Sequence, residues 1–491
     1  MNIAFASSEV YPFAKTGGLG DVVGALPKVL HELGHDVKVF LPNYDHISHQ
    51  RYFINYCHDI GEISVRVAGR VHGVHLHMAY LPGSEVPVYF IDCPYFFHRG
   101  MIYTNSLDED ERFILFSKAV LETIQRLQWK PDIIHCNDWQ TGLIPLYIKD
   151  NYSWDKLFMD TATVMTIHNI GYQGRFPETT VGKAEIRKEL FYDNSPIEVW
   201  GRHISFLKTG IMFADVVNTV SKTYAGEITT SEYGAGLEGS LIYRINDFYG
   251  ILNGVDYAIW NPETDPLIPF HYSMHDLTGK QENKKFLASR SGLDYDPEIP
   301  LIGIVSRLVD QKGFNIFADA IPELMKINAR WAILGSGENR YEELFRGLAA
   351  AMPGKVAAHI GYDDQLAHQI EAGADIFLMP SKYEPCGLNQ IYSLKYGTVP
   401  VVRKTGGLAD TVWDWHENNH YGYDTGTGFS FHDYTAGALT STVQRAVAAY
   451  YDKPLWYKIM VNGMTKDYSW ESSAKQYEGM YQTALYNRRS R

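Results

Sequence analysis

Arg307 and Lys312 stand five residues apart in Ser306-Arg-Leu-Val-Asp-Gln-Lys-Gly313, a spacing that lets both reach one anion across a turn. Arginine offers a planar fork and lysine a point charge, so the pair suits a phosphate group. A third cation, Lys15, precedes Gly17-Gly18-Leu19-Gly20-Asp21, where an apolar run gives way to a helical pattern. Adjacent glycines permit positive φ and close approach of a ligand to the main chain. A helix start adds unpaired N–H groups and the positive end of the helix dipole. A tight turn that merely needs glycine would leave the same trace. However, Lys404-Thr405-Gly406-Gly407-Leu408-Ala409-Asp410 repeats the pattern late in the chain, again after an apolar run. The repeat points to two similar domains that share one function.

Other chemistry-bearing groups follow apolar runs in the same way. Glu384, in Glu384-Pro-Cys-Gly-Leu388, is placed to accept hydrogen bonds from sugar hydroxyls or to cap a helix. Cys386 has no partnered base in view and reads as a small buried thiol. Asp138 and Trp139 offer a hydroxyl-orienting carboxylate and a stacking face, or an N-cap and a core indole. His168 and Asn169 emerge from an apolar strand as a polar pair. Gly335-Ser336-Gly337 is too short a match to carry weight.

Such residues are useful only if strands deliver them to one edge. β-rich runs at Asn2–Ser7, Asp36–Leu41, Ile63–Val67, Val74–Leu81, Val86–Ile91, Asp132–Cys136 and Ala162–Ile167 alternate with helical patterns. That alternation predicts a largely parallel sheet with helices on both faces, whose ligands lie beyond the carboxyl ends of the strands. From Gly174 to Tyr249 the pattern is mainly helical, with a helix over Gly201–Phe213 before the run Asp215–Val220. Asn253-Gly254-Val255-Asp256 is a turn signal, and Pro-rich sequence to Pro300 fits a boundary. A second series begins at Leu301–Val305 and continues at Trp331–Leu334, Val356–Ile360, Ile376–Met379 and Val399–Val402. Regular helices close the chain. The expected domains are 1–250 and 251–491, both α/β and doubly wound.

Composition narrows the partners. With 491 residues, two cores are the expectation. A formal charge of −13 argues against nucleic acid or an anionic membrane as the main partner, so any phosphate site is a local basic spot. The four cysteines lack metal-ligand spacing and read as free thiols. The N-terminus enters a strand without a leader, and no run reaches the length of a membrane span, so the expected location is the cytoplasm. The 34 tyrosines and 10 tryptophans suit core packing or sugar faces.

Taken together, Lys15-Thr-Gly-Gly-Leu-Gly-Asp-Val22, His135-Cys-Asn-Asp-Trp-Gln140, Thr166-Ile-His-Asn169, Asn253-Gly-Val-Asp256, Ser306–Gly313, Glu384–Leu388 and Thr405–Leu408 resemble the bacterial glycogen and plant starch synthases, in the family's order across nearly the whole chain. The resemblance implies the GT-B arrangement of two Rossmann-like domains facing a deep cleft, with the terminal helix packing back on the first. It also implies transfer of glucose from ADP-glucose to the non-reducing end of an α-1,4-glucan with retention of configuration, in the cytoplasm or a plastid stroma. By matching motif, Lys15, Asp138, His168, Arg307, Lys312 and Glu384 are the catalytic set. Lys15, Gly17, Gly18, Asn253, Arg307, Lys312, Glu384, Cys386, Gly387, Leu388, Thr405, Gly406 and Gly407 would bind the donor, and Asp21 and Trp139 the acceptor. Tyr392 stands where many retaining GT-B enzymes place a second Glu. Gly20 and Asn137 are departures that bear on donor geometry.

No acidic pair of the Asp-x-Asp type appears at a strand end, and Lys15, Arg307 and Lys312 are able to stabilise a leaving diphosphate themselves. The expectation is therefore no metal and no cofactor. It also includes a front-face reaction, because no carboxylate is placed as a covalent nucleophile. Two alternatives remain: a sugar-nucleotide epimerase of the same fold and a catalytically silent glucan-binding protein.

Overall fold

The computed structural model describes residues 1–490. The chain divides into two compact units, residues 1–220, 225–254 and 470 onward in the first, and 221–224 with 255–469 in the second. Apart from the short excursion of residues 221–224, the chain passes between units at 254/255 and again at 469/470, and the Pro-rich stretch 261–300 belongs to the second unit.

The first unit is built on strands β1 (Asn2–Ala6), β2 (Asp36–Pro42), β3 (Asn55–Tyr56), β4 (Ile63–Val67), β5 (Arg70–Tyr80), β6 (Pro87–Asp92), β7 (Ile133–Asn137), β8 (Ala162–Ile167), β9 (Arg175–Pro177), β10 (Glu198–Val199), β11 (His203–Ser205), β12 (Val216–Thr219) and β13 (Phe248–Gly250). Its main sheet runs β13-β12-β8-β7-β1-β2-β6-β5-β3, with β4 on β5. Strands from β13 through β6 are parallel, and β3, β4 and β5 are antiparallel to their neighbours. The antiparallel edge follows from the β4–β5 link, Ala68-Gly69, whose φ values of 52° and 75° make a two-residue hairpin turn. β1, β7 and β8 are buried along nearly their whole length, as parallel strands covered on both faces must be.

The stretch read as mainly helical after Gly174 contains instead a separate three-stranded antiparallel sheet, β10-β11-β9. The helix expected from Gly201 starts only at Phe206, because His203–Ser205 pair with β9 and Ser205 caps the helix through its hydroxyl. Periodicity alone did not separate such short strands from helix.

Helix Gly18–Glu32 turns Leu19, Val22, Val23, Leu26 and Leu30 inward, the one-sided spacing that docks a helix on a sheet. Helix Trp470–Ser490 packs on that helix and on β7, β8 and β12. Its Tyr481 hydroxyl lies 2.8 Å from His135 Nδ1, and His135 Nε2 lies 2.5 Å from Thr166 Oγ1, a buried polar chain that ties the helix to the strands. Burial lowers the His135 pKa to about 3, so this imidazole is neutral and serves as a hydrogen-bonding strut.

The second unit carries β14 (Leu301–Leu308), β15 (Arg330–Gly337), β16 (Val356–Ile360), β17 (Ile376–Met379), β18 (Val399–Arg403) and β19 (Phe429–Phe431). They form an all-parallel sheet in the order β16-β15-β14-β17-β18-β19. Alternate residues feed two cores. Ile302, Ile304 and Trp331 join the larger on one face, whereas Leu301, Leu334 and Phe377 join the smaller on the other. The order reverses between β14 and β17, so the residues that follow these neighbours meet at a switch point, the usual ligand position in open parallel sheets.

Candidate active site

In the second unit the carboxyl ends of β14 and β17 carry Arg307, Lys312 and Glu384, three of the residues read as donor-binding. Lys312 Nζ lies 2.6 Å from Glu384 Oε2, and the Ser381 hydroxyl donates to the same oxygen at 3.0 Å. Both the Glu384 and Lys312 side chains are largely buried, so the ion pair is shielded and each partner fixes the other's rotamer. Arg307 lies within β14, which continues to Leu308, and not in the loop expected after Val305. Three extra residue pairings with β15, Ser306 with Gly335, Arg307 with Ser336 and Leu308 with Gly337, extend the strand. The guanidinium is exposed and makes a long 3.5 Å approach to Gln311 Oε1. Glu384 does not open a helix, since the helix that follows begins at Asn389.

The two glycine motifs have different physical reasons. Gly406 has φ 46°, and a Cβ there would lie 1.8 Å from the Glu384 carbonyl oxygen. A Cβ on Gly407 would lie 2.0 Å from the Cys386 carbonyl oxygen, and the Gly407 N–H already donates to the carbonyls of Glu384 and Pro385. Thr405, Gly406, Gly407 and Cys386 are thus buried packing beneath the Glu384 loop, while Gly387 and Leu388 remain half-buried beside it. Ser221 Oγ adds a hydrogen bond to the Pro385 carbonyl at 2.7 Å.

In the first unit, Gly17 is extended at φ −154°, which corrects the expectation of positive φ. A Cβ at Gly17 or Gly18 would meet nothing within 4 Å. These glycines keep a surface open. The helix beginning at Gly18 has no side-chain cap, so its first-turn N–H groups face that surface. The N–H groups of Thr16 and Gly17, however, donate to the Glu9 carboxylate at 2.6 and 3.1 Å. Lys15 Nζ contacts Asp21 Oδ1 at 2.6 Å. Burial raises the Asp21 pKa, and Lys15 opposes that shift.

Asp138 and His168 meet at the ends of β7 and β8. Asp138 holds φ 55° and ψ −176°, a backbone region that costs roughly 1–3 kcal/mol. Its N–H donates to Thr166 O at 3.0 Å, and its Oδ1 accepts the His168 N–H at 2.8 Å. It does not cap the short helix that follows. Burial raises its pKa to about 7, with Glu9 adding to the shift and the backbone N–H groups of His168 and Asn169 opposing it. Burial lowers the His168 pKa to about 3. Asn137 Nδ2 donates to the Ala6 and His135 carbonyls, so its Oδ1 faces His168 Nε2 at 2.9 Å as an acceptor. His168 therefore carries its proton on Nε2 and its lone pair on Nδ1. Trp139 is half-buried among Phe113, Phe176 and Phe206, the packing alternative weighed from sequence. Asn253 is buried in the first unit, with its Oδ1 lacking a hydrogen-bond partner among the described residues.

Residues 2–243 match the model of the starch synthase catalytic domain, and residues 288–452 that of glycosyl transferases group 1. A glycogen synthase of Desulforudis audaxviator is 45% identical, covering 99% of this chain and 97% of the relative. One of Thermosipho africanus is 44% identical over the full length of both. The chain belongs to the glycogen and starch synthase family. It is thus a glycosyltransferase, and the family implies a nucleotide-sugar donor and a glucan acceptor. Among solved structures, the catalytic domain of starch synthase IV from Arabidopsis thaliana, bound to ADP and acarbose, is similar with a TM-score of 0.91 and 34% identity, covering 99% of each chain. A sucrose-phosphate synthase from Thermosynechococcus elongatus shares the fold at a TM-score of 0.59 and 16% identity. Among the described residues no helix is long and apolar enough to cross a membrane.

Glu9 and Tyr103 were not singled out from sequence as site residues of this synthase fold. Glu9 carries one signal, its position three residues past the end of β1. Asn137 stands at a strand end and departs from the family pattern, but its part in fixing the His168 tautomer needs the geometry.

Proposed function

We propose that the protein transfers glucose from ADP-glucose to the non-reducing end of an α-1,4-glucan with retention of configuration, in the cytoplasm. The observation that carries this reading is the shielded Lys312–Glu384 pair beside the exposed Arg307 at the sheet's switch point. Two cations there suit a diphosphate, and the Glu384 carboxylate on the loop after β17 suits a sugar hydroxyl. The starch synthase IV structure, bound to ADP and acarbose, supports the same donor and acceptor classes.

In this reading Arg307, Lys312 and Lys15 neutralise the leaving diphosphate as the C1–oxygen bond lengthens, and positive charge develops on the sugar ring. Glu384 orients a sugar hydroxyl. His168, neutral with its lone pair on Nδ1, accepts from another hydroxyl and adds no positive charge beside an oxocarbenium-like centre. Asp138 holds the loop that carries His168. The acceptor hydroxyl attacks C1 from the face the phosphate leaves, and its proton passes to the departing phosphate oxygen, giving ADP and a glucan one residue longer. Asp21 serves the acceptor, while Trp139 packs beneath the loop that carries Asp138.

Incubation with labelled ADP-glucose and glycogen tests this. Polymer-bound label and released ADP are expected. Free sugar without labelled polymer would indicate an epimerase-type reaction, and glycogen binding without turnover a silent binding protein. UDP-glucose run in parallel tests the donor base.

A further inference from the structure

We propose that Glu9 is a positioning residue for glucosyl transfer: its buried carboxylate clamps the Lys15 loop to the end of β1 and to Tyr103. Four donors converge on it. Thr16 N lies 2.6 Å and Gly17 N 3.1 Å from Oε2; Thr16 Oγ1 and the Tyr103 hydroxyl each lie 2.6 Å from Oε1. Glu9 is 3% exposed, so its charge is compensated by these donors and not by water. Tyr103 OH also lies 3.0 Å from Ser8 Oγ, which binds residues 8, 9, 16, 17 and 103 into one knot. Lys15, directly before the clamped Thr16, is left 41% exposed with its ammonium on Asp21. The clamp therefore fixes the backbone that leads into the open Gly17-Gly18 surface while leaving the cation outside.

The chemistry of the clamp distinguishes holding from direct participation. Oε2 receives only backbone N–H groups, which require an oxygen. Oε1 receives only hydroxyls, which can rotate to accept. Glutamine fits this pattern, with its carbonyl at the Oε2 position and its NH2 at the Oε1 position. Glu9→Gln should therefore keep the clamp without the charge, and Glu9→Ala should lose both.

This inference rests on the proposed transfer reaction, so the test includes a readout independent of it. Trypsin cuts after Lys15, at the peptide bond whose N–H Glu9 holds. In the full-length protein, Glu9→Ala should be cleaved at Lys15–Thr16 at least about ten times faster than the parent, and Glu9→Gln at nearly the parent rate. In the glucosyl-transfer assay, Glu9→Ala should lose on the order of 10² in kcat, the scale of a misplacement of about 1 Å, with glycogen KM nearly unchanged. Glu9→Gln should recover most of it, and Tyr103→Phe should fall between. Unchanged cleavage and turnover in Glu9→Ala would overturn the clamp. A Gln variant as slow as the Ala variant would make the charge itself the contribution and overturn a positioning role. If Glu9→Ala does not fold, the Gln and Tyr103→Phe variants decide. If the parent protein transfers no glucose, the functional reading fails while the cleavage comparison still reports on the clamp.

Discussion

Lys312 Nζ lies 2.6 Å from Glu384 Oε2 although 72 residues separate them. The pair exists because β14 and β17 are neighbours, and it leaves Arg307 as the exposed cation of the motif. Arg307→Ala is therefore expected to lower turnover on the order of 10² to 10³, with stability within about 0.5 kcal/mol of the parent. Lys312→Ala should lose a similar factor in turnover and also about 2 kcal/mol or more of stability, because Glu384 stays buried without its counter-ion. Initial rates with thermal melting measure both, and near-normal rates in both variants would remove the phosphate role.

The two glycine motifs should respond oppositely to the same substitution. Gly18→Ala meets open space at a helix start and should melt at or slightly above the parent temperature, yet lose activity if a ligand rests on that surface. Gly406→Ala forces a Cβ to 1.8 Å from a backbone oxygen at positive φ and should be clearly destabilised. Paired melting curves and rates check the contrast, and a stable, active Gly406→Ala would contradict the packing described for it.

In the proposed reaction Arg307, Lys312 and Lys15 supply the positive charge for a leaving diphosphate, so activity should persist in EDTA. Loss of activity in EDTA with recovery on adding magnesium would show that these cations are insufficient.

Asp138 should leave a signature in stability against pH. Its folded pKa of about 7 lies above the unfolded value of 3.8, so between these the folded state holds the proton and the unfolded state does not. Its contribution thus falls as pH rises through that window, by about 1.4 kcal/mol per unit. His135 and His168, held near 3, act oppositely below 6.5, because the unfolded chain takes up protons they refuse. Asp138→Asn isolates the first effect: relative to the parent, the variant should gain stability from pH 4 to 7 and then level off. A constant difference across urea titrations at several pH values would refute the raised pKa.

Much of this is legible in the sequence. Strand-end position placed Asp138, His168 and Glu384 at sheet edges, since burial on both faces makes parallel strands readable as apolar runs. Ion pairing was not legible, because sequence spacing does not state which strands are neighbours. Nor was the Glu9 clamp, which depends on residues 16 and 17 folding back over the end of β1. The three short strands β9 to β11 escaped because two or three residues carry no period. The reason for each glycine pair also stayed hidden, since open space and a carbonyl at 2 Å both demand glycine.

The helix Trp470–Ser490 has a consequence for synthesis. It supplies Tyr481 to His135 and Ser473 to the Leu252 carbonyl, both in the unit whose strands leave the ribosome first. The face of β7, β8 and β12 that it covers stays open while the second unit, Val255–Ser469, is made and can close on its own. The unit begun first is therefore finished last. A nascent chain stopped at Ser469 would carry one folded unit and one exposed apolar sheet, a form suited to chaperone capture.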